Sequence, residues 1–321
     1  MEYTKLLNTE LQIPQMSLGT MTFGGQTDEK ESLKIMEYGF EHGITLFDTA
    51  NIYTGGNSET IVGKGIKNIR DKIILATKAG YPSGTKLSDV CLSKAAIHEE
   101  FNKSLKRLNT DYVDLYYMHA PDYNTPMEES LEAMNTLVDQ GRVKYIAVSN
   151  HAAWQLADML AICEREGFAK PVMTQNVYNA ITRTIEPELI PFLNKHPMGL
   201  TVYNPIAAGL LTGKHKNGPA INSRLADNEI YKNRYWNDGN IKSTQALIAI
   251  GEEVGLSILE LAFKWCYANE RVTSIISGVS KLSQLEENLQ TLEGDCLSEE
   301  ILEKCNQVWL NHTGNPFGYN R

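Results

Sequence analysis

Short apolar runs of strand character alternate with amphipathic stretches along most of the chain, and the pattern never changes to the rhythm of hairpins. Eight runs can be counted, at residues 15–19, 44–48, 72–78, 112–119, 143–149, 171–176, 199–204 and 273–277. Several are apolar at successive positions, which suits parallel strands covered by helices outside and by a packed interior inside. At 321 residues the chain has the length of one large barrel. We therefore predict an α/β fold, a (β/α)8 TIM barrel, as a single domain over residues 1–321.

Two segments lie outside this alternation. Residues 3–13 resemble two short strands around Asn8 and Thr9, so we predict an N-terminal β-hairpin that closes the bottom of the barrel. Residues 211–240 are polar and rich in Gly and Asn, so we predict a long loop after strand 7 that overhangs the barrel mouth.

Helix ends are also marked in the sequence. Ser93 is placed to cap the helix that follows it. Thr125 is placed to cap a second helix together with Glu128, with Pro126 at the first helical position and Gly141 at the end.

Charge and composition favour a small-molecule partner. The formal net charge is -9 and no run is dense in Lys and Arg, which argues against nucleic acid or an anionic membrane surface. No leader or long apolar segment is seen, so we predict no membrane partner. Five widely spaced cysteines show no ligand-like pattern, which predicts reduced thiols in a cytoplasmic protein and no metal site.

Four side chains fall at or just after the ends of three predicted strands: Asp48, Tyr53, Lys78 and His119. The mouth of such a barrel, where its chemistry takes place, is built from the segments that follow its strands. A phenol has a pKa near 10, so it needs a neighbouring cation to donate a proton at neutral pH, and Lys78 can supply one. Asp48 is the available countercharge for that lysine.

His119 would then orient a carbonyl oxygen or assist proton transfer. Taken singly, Asp48 could merely cap a turn and His119 could be a satisfied core histidine. Together, the four residues predict a proton-donating site.

At these residues the sequence resembles the aldo-keto reductases. The matching segments are LGTMTFG (18–24), FDTANIYTGGNSE (47–59), ATKAG (76–80), YYMHAPD (116–122), VSN (148–150), YNPIAAGLLTGK (203–214) and SGVSKLSQLEENL (277–289). The resemblance spans almost the whole chain and implies reduction of an aldehyde or ketone by a nicotinamide cofactor. It implies Tyr53 as the general acid, tuned by Lys78 and Asp48, with His119 orienting the carbonyl. No GxGxxG follows a strand, so a doubly wound dinucleotide fold is not expected.

The resemblance also implies the cofactor contacts. Ser149, Asn150 and Gln175 would hydrogen-bond the carboxamide and Tyr203 would stack on the nicotinamide ring, although Ser149 and Asn150 could also cap a helix. The remaining implied contacts, including the pyrophosphate loop and the adenosine end, are Thr20, Met21, Asn204, Pro205, Leu210, Gly213, Lys214, Arg224, Gly278, Val279, Ser280, Lys281, Gln284, Glu287 and Asn288.

Two departures from the family pattern affect the choice of cofactor. Ser277 replaces a proline that many members have, and Gln284 stands where some members carry an arginine for the 2′-phosphate. Ser280 and Lys281 could still hold that phosphate. We therefore predict NADP as the cofactor, with NADPH preferred and NADH left open.

The substrate pocket is predicted around Tyr53. Its expected lining residues are Met21, Phe23, His151, Tyr231 and Trp236, and His151 could equally face water at the start of a helix. This lining suits a small-molecule carbonyl substrate, and the oligomeric state stays open.

Two rival hypotheses remain. The same fold and cofactor site occur in channel-associated β-subunits that resemble this family, so the chain could be a cofactor-binding regulatory or scaffold protein. A desolvated Lys78 could also act as a Schiff-base lysine in a lyase.

Overall fold

The fold is described from a computed structural model for residues 1–81, 89–215, 218–221 and 223–314. A closed barrel of eight parallel strands forms its centre, which confirms the predicted (β/α)8 architecture. The hairpin strands are β1 (Tyr3–Lys5) and β2 (Gln12–Pro14). The barrel strands are β3 (Met16–Gly19), β4 (Leu46–Asp48), β5 (Ile74–Ala79), β6 (Val113–Met118), β7 (Val143–Ser149), β8 (Met173–Val177), β9 (Gly199–Tyr203) and β10 (Val272–Gly278).

The strands follow one another around the barrel in chain order, and β10 closes the ring between β9 and β3. Every residue of β5 and of β6 is buried. This explains their unbroken apolar runs, because a barrel strand has packed neighbours on both faces. The order also places β4 and β8 four positions apart, on opposite sides of the barrel.

The N-terminal hairpin is confirmed. β1 and β2 pair antiparallel, with Tyr3 opposite Pro14. The turn contains Asn8 at a φ of 61°, a left-handed conformation that asparagine tolerates. Leu6 and Ile13 pack in one buried cluster with Leu46 from the start of β4. The hairpin therefore seals the end of the barrel at which the strands begin.

The helices follow the amphipathic stretches. They are α1 (Glu29–Glu41), α2 (Asn57–Gly65), α3 (Lys94–Leu108), α4 (Met127–Asp139), α5 (Ala153–Glu166), α6 (Leu189–Lys195), α7 (Arg224–Asp227), α8 (Glu229–Tyr235), α9 (Asp238–Glu253), α10 (Ile258–Tyr267), α11 (Leu282–Gln290) and α12 (Glu299–Thr313). Among the described residues, none of them is long and apolar enough to cross a membrane.

The predicted cap of α3 is confirmed, because Ser93 accepts a hydrogen bond from the backbone N–H of Ala96. The predicted cap of α4 is wrong. The Thr125 hydroxyl instead donates to the Asp122 carboxylate at 2.6 Å, and α4 begins at Met127 with Pro126 just before it. A carboxylate is a strong hydrogen-bond acceptor, and the bond to it directs the Thr125 side chain toward Asp122.

The predicted long loop at 211–240 is partly wrong, because this segment contains α7, α8 and the start of α9. Each of these helices begins after a polar residue whose side chain accepts from the helix backbone: Ser223, Asn228 and Asn237. Asn and Ser favour both turns and helix N-caps, so composition alone could not separate a loop from short capped helices. Residues 216, 217 and 222 of this prediction lie outside the described residues.

The chain divides into two compact units. The barrel unit comprises Met1–Asn176, Ile185–Tyr203 and Arg271–Glu286, and the second unit comprises Val177–Thr184, Asn204–Glu270 and Glu287–Arg321. The prediction of a single domain stays a prediction.

Candidate active site

The four predicted catalytic side chains lie at the C-terminal ends of neighbouring strands of the barrel unit. Asp48 is the last residue of β4, Lys78 is in β5, and His119 directly follows β6. Tyr53 begins a short 3-10 helix, Tyr53–Gly56, in the segment that follows β4. The strand ends therefore bring together residues that are up to 71 positions apart in the sequence, from 48 to 119.

Lys78 is the centre of this group. Its side chain is 0% exposed, and its ammonium donates to Asp48 Oδ1 at 2.5 Å, to the Thr49 carbonyl at 2.8 Å and to the Tyr53 hydroxyl at 3.2 Å. These three acceptors match the three hydrogens of an ammonium. Burial lowers the pKa of Lys78, and the Asp48 carboxylate opposes that shift. The lysine is therefore a desolvated cation that is held by one carboxylate and directed at one phenol.

A short strained turn presents Tyr53. The three residues that follow it have left-handed φ values of 49° at Thr54, 66° at Gly55 and 94° at Gly56. The Thr54 hydroxyl donates to the Phe23 carbonyl at 2.7 Å and accepts from the Ser58 N–H at 3.0 Å. A non-glycine residue in this conformation costs free energy that the surrounding contacts must offset. The turn thus fixes the backbone beside the phenol.

His119 completes the group from the neighbouring strand. Its ring lies edge-on to Tyr53, with centroids 5.9 Å apart, and edge-on to Tyr81 at 5.0 Å. Burial, and then the positive charge of Lys78, hold the pKa of His119 well below its usual range. The imidazole is therefore neutral at neutral pH, and it can hydrogen-bond a ligand without adding charge.

A second polar group occupies the ends of β7, β8 and β9. The Asn150 amide donates to the Ser149 hydroxyl at 3.0 Å and to the His119 carbonyl at 3.1 Å, and it accepts from the Tyr203 hydroxyl at 2.8 Å. The Ser149 hydroxyl donates to the Gln175 carbonyl at 2.9 Å. All four residues predicted for the nicotinamide end therefore meet in the barrel unit.

Gln175 joins this group to the first one. Its Nε2 donates to Asp48 Oδ2 at 2.8 Å, from β8 across the barrel to β4. One side chain thus links the carboxylate that holds Lys78 to the predicted carboxamide site. Amide and hydroxyl groups beside an aromatic ring are the partners that a nicotinamide carboxamide requires, so these residues fit the group that the sequence implies.

The predicted pocket residues of the barrel unit differ in exposure. Phe23 is fully buried and Met21 is partly exposed. His151 is buried, and its Nδ1 lies 2.8 Å from the Ser149 carbonyl, so Nδ1 carries the proton. Burial lowers the pKa of His151 to about 4. Thr20 is also buried, and its hydroxyl donates to the Asp48 carbonyl at 3.0 Å.

The predicted adenosine end lies at the start of α11, where Gly278 and Lys281 are exposed. The Gln284 side chain accepts from the Ser280 N–H at 2.8 Å. Sequence reasoning missed Glu31 of α1, which accepts from the Leu282 N–H at 2.8 Å and places a carboxylate at the N-terminus of α11. The two residues are 251 positions apart, so no local pattern could have revealed the contact.

The second unit carries the other predicted cofactor residues. Ala207, Ala208 and Gly209 have consecutive positive φ values of 47°, 57° and 96°. A Cβ at Gly209 would lie 3.5 Å from the Lys214 ammonium. Burial, and then the charge of Arg224, lower the pKa of Lys214. Two cations thus lie near each other beside a strained turn, an arrangement that suits an anionic group.

The second unit also contains the remaining predicted cofactor residues and the predicted pocket residues Tyr231 and Trp236. Asn204 adopts a φ of 56°, Pro205 and Leu210 are buried, and Gly213 has a φ of 74°. The Arg224 guanidinium lies 5.2 Å from the Tyr231 ring centroid, and Trp236 lies edge-on to His215 at 6.1 Å. Glu287 and Asn288 lie in the part of α11 that belongs to this unit. The roles of all these residues stay predictions.

Comparison with known proteins places the chain among related sequences. The model of the Aldo/keto reductase family matches residues 15–310. A probable voltage-gated potassium channel subunit beta from Arabidopsis thaliana is 34% identical over 99% of this chain and 100% of its own length. Aflatoxin B1 aldehyde reductase member 2 from Homo sapiens is 34% identical over 91% of this chain and 85% of its own. Aldo-keto reductase family 7 member A3 from Homo sapiens is 35% identical over 92% and 94%.

Proposed function

We propose a reaction for this protein from one premise: the chain belongs to the aldo/keto reductase family. It is an oxidoreductase of that family and uses a nicotinamide cofactor. The proposed reaction is the NADPH-dependent reduction of an aldehyde or ketone to the alcohol. Tyr53 is the general acid, Lys78 and Asp48 tune it, and His119 orients the carbonyl oxygen.

The contact between Lys78 and Tyr53 carries this proposal. The ammonium lies 3.2 Å from the phenol oxygen, and the lysine side chain is 0% exposed. Hydride transfer is the chemistry that a bound nicotinamide would supply, since no side chain can do it. As negative charge develops on the carbonyl oxygen, Tyr53 gives it a proton and Lys78 stabilises the phenolate that remains. Asp48 keeps the ammonium in place.

His119 has a supporting role in this scheme. Its neutral imidazole lies beside Tyr53 and hydrogen-bonds the carbonyl oxygen, which orients it toward the phenol. Since the pKa of His119 is held well below its usual range, the imidazole is a poor cationic acid at neutral pH. The proton therefore comes from Tyr53.

We further propose the parts of the chain that hold the cofactor. Ser149, Asn150 and Gln175 bind the carboxamide, and Tyr203 lies against the nicotinamide ring. Ser280, Lys281 and Gln284 bind the adenosine end. In the second unit, Lys214 and Arg224 bind phosphate. NADPH is the proposed cofactor because Lys281 offers a positive charge to the 2′-phosphate.

The substrate class, the location in the cell and the kind of partner are also proposals. Four of the similar proteins are named for an aldehyde, aflatoxin B1 aldehyde, so aldehydes are the first carbonyl compounds to test. We propose that the protein works in the cytoplasm, with a small-molecule partner and without nucleic acid.

The decisive experiment compares the parent protein with Tyr53→Phe. General acid catalysis contributes about 10²- to 10⁴-fold, so turnover of an aldehyde panel with NADPH should fall by about that factor. The dissociation constant for NADPH, measured by fluorescence quenching, should stay within about twofold, because the phenylalanine keeps the ring. Retained turnover in the variant would reject Tyr53 as the acid.

A second candidate function is supported by other relatives. The similar proteins from Arabidopsis thaliana and Oryza sativa are named probable voltage-gated potassium channel subunits beta, at 34% and 35% identity. A cofactor-binding regulatory role on the same fold would follow if the parent protein binds NADPH tightly but shows negligible turnover across the panel. A Schiff-base lyase is disfavoured by the geometry, because an ammonium that donates to three acceptors offers no lone pair.

A further inference from the structure

Tyr117 is a buried tyrosine of β6 that the proposed reaction does not use. Lys78 and Tyr117 are register partners in the parallel pair of β5 and β6, so their side chains leave the two strands on the same face. Tyr117 is 1% exposed and belongs to the same buried cluster as Leu6 and Ile13 of the hairpin. It therefore lies inside the barrel, next to the lysine at the centre of the site.

The ring of Tyr117 is within reach of the Lys78 charge. The ammonium lies 5.8 Å from its centroid and 4.9 Å from the centroid of Tyr53. A cation within about 6 Å of a ring centroid is attracted by the negative face of the ring, most strongly where water is excluded. Two rings, one from the acid and one from the barrel interior, thus act on one desolvated ammonium.

The hydroxyl of Tyr117 adds no charge beside Lys78. Burial, and then the negative charge of Asp48, raise the pKa of Tyr117 above its ordinary value. The hydroxyl therefore stays protonated, and the ring that faces Lys78 is that of a neutral phenol.

Tyr116 provides a matched control on the same strand. It is also fully buried, but it is the next residue along β6 and so leaves the strand on the opposite face. Its hydroxyl donates to the Ile97 carbonyl at 3.5 Å, and its ring lies 4.7 Å from the ring of Phe101. Loss of its hydroxyl should perturb the packing of β6 without touching Lys78 or Gln175.

We propose that Tyr117 is a positioning residue for the reaction, with its ring stabilising the charged form of Lys78. The part that concerns turnover rests on the proposed function, whereas the part that concerns the charge of Lys78 does not. Other charged or titratable groups also act on Lys78 in the structure, and each variant below leaves them unchanged: Asp48, Tyr53, Glu59 and His119.

The first experiment measures the charge of Lys78 directly. Proteins labelled with ¹³C at the lysine ε carbon are titrated by NMR, and Lys78→Arg identifies the Lys78 signal because it removes one lysine but keeps the positive charge. Tyr117→Met replaces the ring with a flexible apolar chain that leaves little room for water. Since the ring favours the ammonium, its loss should lower the pKa of Lys78 by about one unit. Tyr117→Phe and Tyr116→Phe should leave that pKa unchanged.

The second experiment measures cofactor binding and turnover. Tyr117→Phe keeps the ring, so the dissociation constant for NADPH and the pH dependence of kcat should stay as in the parent protein. In Tyr117→Met, the pH above which kcat declines should move down by the same amount as the Lys78 titration. Tyr116→Phe should change neither quantity. Thermal unfolding of each variant shows whether the Tyr117 variants and the Tyr116→Phe control lose similar amounts of stability.

The outcomes separate the inference from the function. An unchanged or raised Lys78 pKa in Tyr117→Met would overturn the role of the ring, even if the parent protein reduces aldehydes. A fall of the Lys78 pKa in Tyr117→Phe as large as that in Tyr117→Met would also overturn it, because Tyr117→Phe keeps the ring. If the parent protein binds no nicotinamide cofactor, the proposed function fails, and the NMR titration still decides the role of the ring.

Discussion

Lys78 and Asp48 are 0% and 2% exposed, whereas Gly278 and Lys281, at the predicted adenosine end of the same barrel unit, are exposed. At the strand ends the polar groups already hold one another: Lys78 has three acceptors, and Asp48 is bonded through both of its oxygens. At the start of α11, the contacts are a hydrogen bond from the Ser280 N–H to the Gln284 side chain and one from the Leu282 N–H to the Glu31 carboxylate.

The difference in burial indicates how charged groups act in each region. In the buried region each charge is costly, so its partners are fixed before any ligand arrives and catalysis benefits from that preorganisation. In the exposed region charges are screened by water and salt, so they can select among ligands but hold little structure. Substitutions should therefore affect stability and chemistry in the first region, and only nucleotide preference in the second.

The largest effect is expected for Lys78→Met. This change leaves the buried Asp48 carboxylate without its cation, which should lower the free energy of unfolding by about 3–5 kcal/mol and abolish turnover. Chemical denaturation followed by circular dichroism measures the loss. The double variant Asp48→Asn/Lys78→Met removes the stranded charge, so it should regain part of the stability but none of the turnover. If Lys78→Met were as stable as the parent protein, the buried pair of Lys78 and Asp48 would not be the contact that organises this region.

A smaller effect is expected from His151, whose pKa is lowered by burial from an ordinary 6.5 to about 4. Below pH 6.5 His151 binds a proton in the unfolded chain but not in the folded protein. Its contribution to the free energy of unfolding is therefore fully present above about pH 7 and is lost as the pH falls toward 4. At pH 5 this histidine should account for a loss of about 2 kcal/mol.

Denaturation of His151→Gln at pH 7 and pH 5 tests this expectation. The variant should lose less stability between the two pH values than the parent does. The exposed His196 offers the control, because His196→Gln should behave as the parent. Equal pH dependence in all three proteins would mean that His151 titrates in the folded state, which would contradict its burial.

The smallest effect is expected at the exposed region, from Glu31→Gln. The amide can still accept from the Leu282 N–H, but the negative charge at the N-terminus of α11 is gone. The dissociation constant for NADPH should fall about three- to tenfold at low salt and that for NADH should not change, since only NADPH carries the 2′-phosphate. Fluorescence titrations at low and high salt measure both constants.

Glu29→Gln is the matched control, because Glu29 lies in the same first turn of α1 and pairs with Lys64. It should affect neither nucleotide. If Glu31→Gln changes both dissociation constants equally, the carboxylate does not discriminate between the nucleotides, and the 2′-phosphate is bound elsewhere.

The barrel could be predicted because its signal is local. The ends of all eight barrel strands lie within two residues of the ends of the predicted runs, since a strand buried on both faces must be apolar at successive positions. The hairpin was confirmed for a similar reason, with Asn8 in the turn. The helix caps were less reliable: Ser93 caps α3 as predicted, but Thr125 bonds to Asp122 instead of to α4.

The sequence predicted which residues form the candidate site, but not which contacts they make with one another. Strand-end position and the family resemblance both led to Lys78 and Tyr53, and the structure places the two groups 3.2 Å apart. The bond from Gln175 to Asp48 joins residues 127 positions apart, and that from Leu282 to Glu31 joins residues 251 apart. Tyr117 resembled any other apolar strand residue, because its neighbour Tyr116 is the same type and equally buried.

The sequence by itself determined which segments become strands, which end of each strand carries polar side chains, and so where chemistry can take place. Tertiary structure alone decided which polar groups meet: Gln175 reaches Asp48 only because the closed ring sets β8 opposite β4, and Tyr117 faces Lys78 only through the register of β5 with β6. The physical reason is that periodicity records the burial of each position relative to its chain neighbours, whereas ring closure and register arise from packing the whole barrel at once.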